Sequence, residues 1–174
     1  MDVVRATVER HRVDPRLVGL EITESELLED AEAAIASIAA LRRLGVRLAV
    51  DDFGTGYSSL SYLKRLPVDA VKVDRSFVDG VANDPDNCAI VVAVAGMARA
   101  LRLSALAEGV ETAEQLAVLR GLGVELAQGF YFSMPQPPAA LTVLLATDRK
   151  APLYPPPPDT PGESGLVPLS RQGG

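Results

Sequence analysis

The sequence predicts an α/β fold with a parallel sheet, of the barrel type rather than an open sheet. Three observations carry this. Short apolar runs alternate with helix-period segments from Leu17 to about Leu145, the pattern of successive βα units. Polar residues able to do chemistry end those runs one after another: Glu21, then Asp51 and Asp52, then Lys72 and Asp74, then Glu108, then Gln128. In a parallel barrel the C-terminal strand ends share one face, where active sites are built. An open doubly wound sheet also collects ligands at strand ends, but concentrates them at one switch point; here five successive runs each contribute a polar group.

The elements follow in order. Leu17–Ile22 reads as the first strand. Ala31 to Leu44 places Ile35, Ile38, Leu41 and Leu44 on one helical face, with Gly45 as C-cap. The second strand, Val46–Asp51, runs into Asp51-Asp52-Phe53-Gly54-Thr55-Gly56. A buried strand does not end in two aspartates for packing: adjacent carboxylates cost desolvation and repel unless cations hold them. Hard divalent ions such as Mg²⁺ and Mn²⁺ prefer such oxygens. A simple turn cap is the alternative for Asp51-Asp52, and a surface ion pair the alternative for Glu21 and Glu108. In the third strand, Ala70–Asp74, alternation puts Lys72 and Asp74 on one side, so an ion pair between them is a second reading of Lys72. Asp86 to Leu101 is apolar almost all round and opens at Asp84-Pro85; it is expected to be a well-covered helix. After the fourth strand, Leu103–Glu108, Thr112 and Gln115 form a capping-box signature for a helix to Leu122, ended by Gly123. Val124–Gln128 is the fifth strand, where Gln128 is either functional or a plain polar strand end.

Composition bounds the function. The chain has 174 residues, is 48% hydrophobic and carries a net charge of −6. That suffices for one domain with a real core and argues against charge-driven binding to nucleic acid polymers or anionic membranes. An anionic substrate stays open, because bound metals reverse the local sign. Cys88 is the only cysteine, so no internal disulfide or zinc finger is possible, which fits a cytoplasmic setting. The longest apolar stretch, Cys88 to Ala98, is too short to span a bilayer, and Met1 to Arg16 lacks a signal-peptide core. Ala151 to Gly174 is rich in Pro, Gly and Ser, so the chain divides into a domain over 1–147 and a disordered or polyproline tail over 148–174. With His11 the only histidine, there is no Ser-His-Asp set, and no Walker-type loop is present.

Five motifs occur in order: Glu21-Ile22-Thr23-Glu24, Asp51-Asp52-Phe53-Gly54-Thr55-Gly56, Lys72-Val73-Asp74, Ala107-Glu108-Gly109-Val110-Glu111-Thr112 and Gln128-Gly129-Phe130. Together they resemble the later motifs of the EAL domain family of cyclic-di-GMP phosphodiesterases, over roughly Val13 to Leu145. The resemblance implies a modified TIM-type barrel that hydrolyses cyclic di-GMP to a linear dinucleotide with two divalent ions, Mg²⁺ or Mn²⁺. It implies metal binding by Glu21, Asp51 and Asp52, and by Glu108 directly or through water. Lys72 would contact the attacking water or scissile phosphate, Gln128 would sit near that water, and Asp74 would face substrate. Glu24 would anchor the loop from Asp52 to Ser59, and the helix after that loop would form a homodimer contact.

The family's Glu-Ala-Leu motif, its substrate-contacting arginine and its metal-binding asparagine do not occur in this chain. In the family they lie on strands preceding the segment that matches Glu21. The expectation is therefore a partial barrel with open edges at Leu17–Ile22 and Val124–Gln128, a weakened metal site, and no turnover by this chain alone. The competing reading is a non-catalytic EAL-like module that binds cyclic di-GMP or a protein partner. A third is another barrel enzyme, such as a metal-assisted lyase, reusing strand-end carboxylates.

Overall fold

In the computed structural model, residues 2–23, 31–54, 63–146 and 167–168 are described. Helix α1 (Asp2–His11) and a 3₁₀ turn (Pro15–Leu17) lead into β1 (Gly19–Thr23). There follow α2 (Ala31–Leu44), β2 (Arg47–Phe53), β3 (Ala70–Val73), α3 (Arg75–Asp79), α4 (Pro85–Leu101), β4 (Ser104–Ala107), α5 (Ala113–Leu122), β5 (Leu126–Ala127), α6 (Pro138–Ala146) and β6 (Val167–Pro168). The five expected strands are present, in parallel and in sequence order from β1 to β5. Among the described residues β1 pairs only with β2, as an open edge. The other edge differs from expectation, because β6 lies antiparallel on β5, pairing Leu126 with Pro168 and Ala127 with Val167. Those two residues are the only part of the 148–174 tail that is described.

Local chemistry explains the helix boundaries. Thr112 Oγ1 accepts from the Gln115 amide at 3.1 Å, and Gln115 Oε1 accepts from the Thr112 amide at 3.0 Å, which completes the capping box at α5. Asp84 caps α4, with Pro85 at its first position. One expectation is corrected. Helix α4 is not covered all round: Val91, Val94, Ala95 and Ala98 are buried, whereas Val92 is 48% exposed. The outer side of a helical layer faces water, and small apolar residues are tolerated there. Helices α1, α3 and α6 have no counterpart in the reading of the sequence; α3 is too short to show a period.

The two sheet faces separate packing from chemistry. Leu48 and Val50, Val71 and Val73, and Ala105 and Ala107 are buried within the core cluster that includes Val91, Val94 and Leu119 from the helices. Alternation then sends Asp51, Lys72 and the residue after β4, Glu108, to the opposite face. The strand ends are further shaped by two irregularities. The β2–β3 register shifts between Val50 and Phe53, and Asp52 within that shift has φ 53°, the kind of bulge that re-aims side chains near functional sites.

The loops after β4 and β5 interlock. The Val110 amide donates to Gln128 O at 3.0 Å, and the Tyr131 amide donates to Val110 O at 2.9 Å. Gly129 sits where a Cβ would lie 2.2 Å from Val110 O and 2.3 Å from Val110 N. Backbone cannot yield by that much. Gly129→Ala is therefore expected to lower stability by about 2–3 kcal/mol in urea denaturation. Gly121→Ala is the control: it lies within α5 with open space at its Cβ position, and should raise stability by about 0.5–1 kcal/mol.

Candidate functional site

The site is organised by one buried cation. Lys72 is on β3, and its side chain is only 3% exposed. Its Nζ donates to Glu21 Oε2 at 2.6 Å, to Asp51 Oδ1 at 2.9 Å and to Glu108 Oε1 at 2.5 Å. Each carboxylate comes from a different strand or strand end, so one ammonium ties β1, β2 and β4 to β3. An ammonium has three protons to donate, and three carboxylate oxygens receive them.

The surroundings fix the acceptors. The Asp52 amide donates to Asp51 Oδ1 at 3.0 Å, so the bulge clamps the same oxygen that Lys72 holds. Gln128 Nε2 donates to Glu108 Oε1 at 2.6 Å, giving that oxygen two donors. Exposure is graded across the rim: the Glu108 and Asp51 side chains are 19% and 21% exposed, but Glu21, on the open-edge strand, is 51% exposed. Glu21 is thus the member most open to water.

Burial, which alone would favour loss of the proton, is outweighed at Lys72 by its contacts with Glu108, Glu21 and Asp51, so its pKa is raised. The Glu108 carboxyl is pushed up, first by burial and also by the like charges of Asp51 and Glu21; the Lys72 contact opposes this only in part. Asp74 is lowered, chiefly because its carboxylate accepts from the Ser76 hydroxyl.

These positions revise the reading of the sequence. Lys72 does not pair with Asp74; Asp74 Oδ1 accepts from the Ser76 amide at 2.9 Å and hydroxyl at 2.5 Å, capping α3. Glu21, Asp51 and Glu108 do meet, but on an ammonium. Asp52, next in β2, is exposed. Glu24 lies outside the described residues. Tyr131 is a buried core residue, edge-on to Phe132. The reading missed how the loop glycines place Glu108 and Gln128. Its available signal was a glycine directly following each of those polar residues.

The donor type suits a hard divalent cation. The arrangement does not yet supply one: no group of three or more His, Cys, Asp or Glu among the described residues could hold a metal ion. One oxygen each of Glu21, Asp51 and Glu108 is turned onto Lys72.

A family model described as the EAL domain matches residues 1–135. The bifunctional diguanylate cyclase/cyclic di-GMP phosphodiesterase MucR of Pseudomonas aeruginosa is 44% identical over 146 residues, covering 84% of this chain and 21% of that protein. The solved structure of PaMucR phosphodiesterase in complex with c-di-GMP superposes with a TM-score of 0.77 at 45% identity, covering 80% of this chain and 57% of that one. A manganese and cyclic-di-GMP complex of Klebsiella pneumoniae BlrP1 does so with a TM-score of 0.69 at 36% identity, covering 75% of this chain and 33% of that one. The chain belongs to the EAL domain family and spans about one fifth of the length of its curated relative MucR.

Lys72→Met is expected to destabilise the chain by about 2–3 kcal/mol at neutral pH, at the low end for a broken buried pair because Glu21 can turn to water. With the ammonium gone, the contact that holds the Glu108 carboxyl down is lost and its folded-state pKa rises further, so stability falls as pH rises through the carboxylate range. The loss should accordingly shrink on acidification. Urea midpoints from pH 4 to pH 8 test this, and a loss independent of pH would contradict it. In the unsubstituted chain the raised pKa of Lys72 makes its contribution complete at neutral pH and lost only in strong alkali.

Proposed function

We propose that this chain is the C-terminal part of a cyclic-di-GMP phosphodiesterase domain, carrying the Lys72–Glu108–Gln128 half of its site. The observation that carries the reading is the convergence of Glu21, Asp51 and Glu108 on Lys72 Nζ at the strand ends. Membership of the EAL family supports the substrate class, as does the c-di-GMP complex of the MucR relative. In this reading, the ammonium of Lys72 supplies positive charge where a phosphodiester accumulates negative charge. Glu108, with its raised pKa and its hydrogen bond from Gln128, is suited to hold a water and take its proton.

The complete domain is proposed to use Mg²⁺ or Mn²⁺, with Glu21, Asp51, Asp52 and Glu108 as this chain's ligands. When bound, such ions activate water and neutralise phosphoryl oxygens. The manganese complex of BlrP1 supports a divalent ion. Asp74 is proposed to face substrate through whatever acceptor capacity its cap leaves, and Glu24 to anchor the loop after Asp52. A homodimer contact through the helix after that loop, and a cytoplasmic setting, complete the proposal. No helix among the described residues is long and apolar enough to cross a membrane.

A second reading, a non-catalytic module binding cyclic di-GMP or a protein, is favoured by one observation: Glu21, Asp51 and Glu108 each already give an oxygen to Lys72 Nζ. A chimera separates the two. Fusing the part of the MucR phosphodiesterase domain that this chain does not cover ahead of Gly19 should give Mn²⁺-dependent conversion of cyclic di-GMP to its linear dinucleotide, read by chromatography. Lys72→Ala in that chimera should lower the rate by at least about 10²-fold. A folded chimera that binds cyclic di-GMP but never turns it over would support the module instead.

A further inference from the structure

Two segments must hold a fixed distance for Lys72 and Glu108 to meet at 2.5 Å: the end of β3 and the loop after β4. The β3–β4 ladder runs to the Val73–Ala107 pair, and beyond it Glu108 N donates to Val73 O at 3.1 Å. A second link runs through Arg75, at the start of α3. Its Nη2 donates to Glu111 Oε1 at 2.7 Å, and its Nε lies 3.4 Å from Asp79 Oδ2. Between the Arg75 backbone and that guanidinium the stem crosses Gly109, where a Cβ would lie 2.5 Å from Arg75 Cγ and 2.8 Å from Cδ. Gly109 also has φ 69°. The residue after Glu108 is thus bare on the side where the arginine passes.

We propose that Arg75 is a positioning residue: a strap from the start of the helix that follows the Lys72 strand, across Gly109, to Glu111, that sets where Glu108 stands. Arg75 touches none of the reacting groups. It acts on the Glu108–Gly109–Val110–Glu111 loop, which Gln115 grips from the far side by accepting the Glu111 amide at 2.8 Å. With the Arg75 and Glu111 side chains 53% and 38% exposed, the ion pair itself adds little to global stability. Its value lies in orientation, since a planar guanidinium fixes angle as well as distance. The inference rests on reading Glu108 as a site residue; its test uses no substrate, so an inactive chain leaves it decidable.

Amide hydrogen exchange on the full chain provides that test. In Arg75→Ala, exchange at Glu108 and Val110 should accelerate at least about tenfold relative to Val71 and Val73 in β3, while the melting temperature stays within a few degrees. Arg75→Met keeps the stem over Gly109 without the guanidinium and should give an intermediate effect; Arg75→Lys should recover part of it. Equal acceleration at all four amides would make the role merely structural and overturn the proposal, as would unchanged exchange. Should Arg75→Ala fail to fold, Arg75→Met decides by the same comparison.

Discussion

Three carboxylates held on one ammonium are the interaction on which the rest of this molecule depends. Glu21, Asp51 and Glu108 would repel one another at these distances without a cation among them. Lys72 supplies it from the strand that lies between β2 and β4 in the sheet. Placing the lysine elsewhere would leave the strand ends to splay. Placing a neutral residue there would leave three buried or half-buried charges uncompensated. The same cluster that organises the fold at this rim also concentrates oxygen donors and one positive charge in a single place.

The sheet sets what that rim can present. Parallel pairing in sequence order sends successive strand ends to one side, and the period-two alternation gives each strand one face for the core and one for chemistry. The bulge at Asp51-Asp52 and the interlocked loops at Val110 and Gly129 adjust the final residues after the regular pairing ends. The rim is not uniform. Glu108, between Lys72 and Gln128, is tightly fixed, whereas Glu21 sits on the open-edge strand and is half exposed. Of the three carboxylates on Lys72, Glu108 is the most firmly held and Glu21 the most open to water.

Much of this was legible in the sequence. The strands that carry Glu21, Asp51 and Lys72, and those directly followed by Glu108 and Gln128, appear where apolar runs stop, because a carboxylate or amine at the end of a buried run needs a reason beyond packing. The Thr112–Gln115 capping box and the Asp84-Pro85 start were legible because helix termini have local chemistry. What stayed hidden was relational. Alternation put Lys72 and Asp74 on one side of the third run, but could not show that β3 ends at Val73, that Asp74 caps α3, or that Lys72 reaches carboxylates of three other strands or strand ends. Nor could periodicity show that α4 covers only one side, since small apolar residues fit both a core and an outer helical face. The Arg75 path over Gly109 joins residues 34 positions apart, which no local pattern records.

The most direct measurement of the central claim is an NMR spectrum of the lysine side-chain ammonium groups near neutral pH. An ammonium held by three carboxylates and shielded from water exchanges its protons slowly. The account predicts a slowly exchanging Lys72 signal that is lost on Glu108→Ala and kept on Glu125→Ala. A Lys72 ammonium exchanging as fast as that of Lys64 would contradict it.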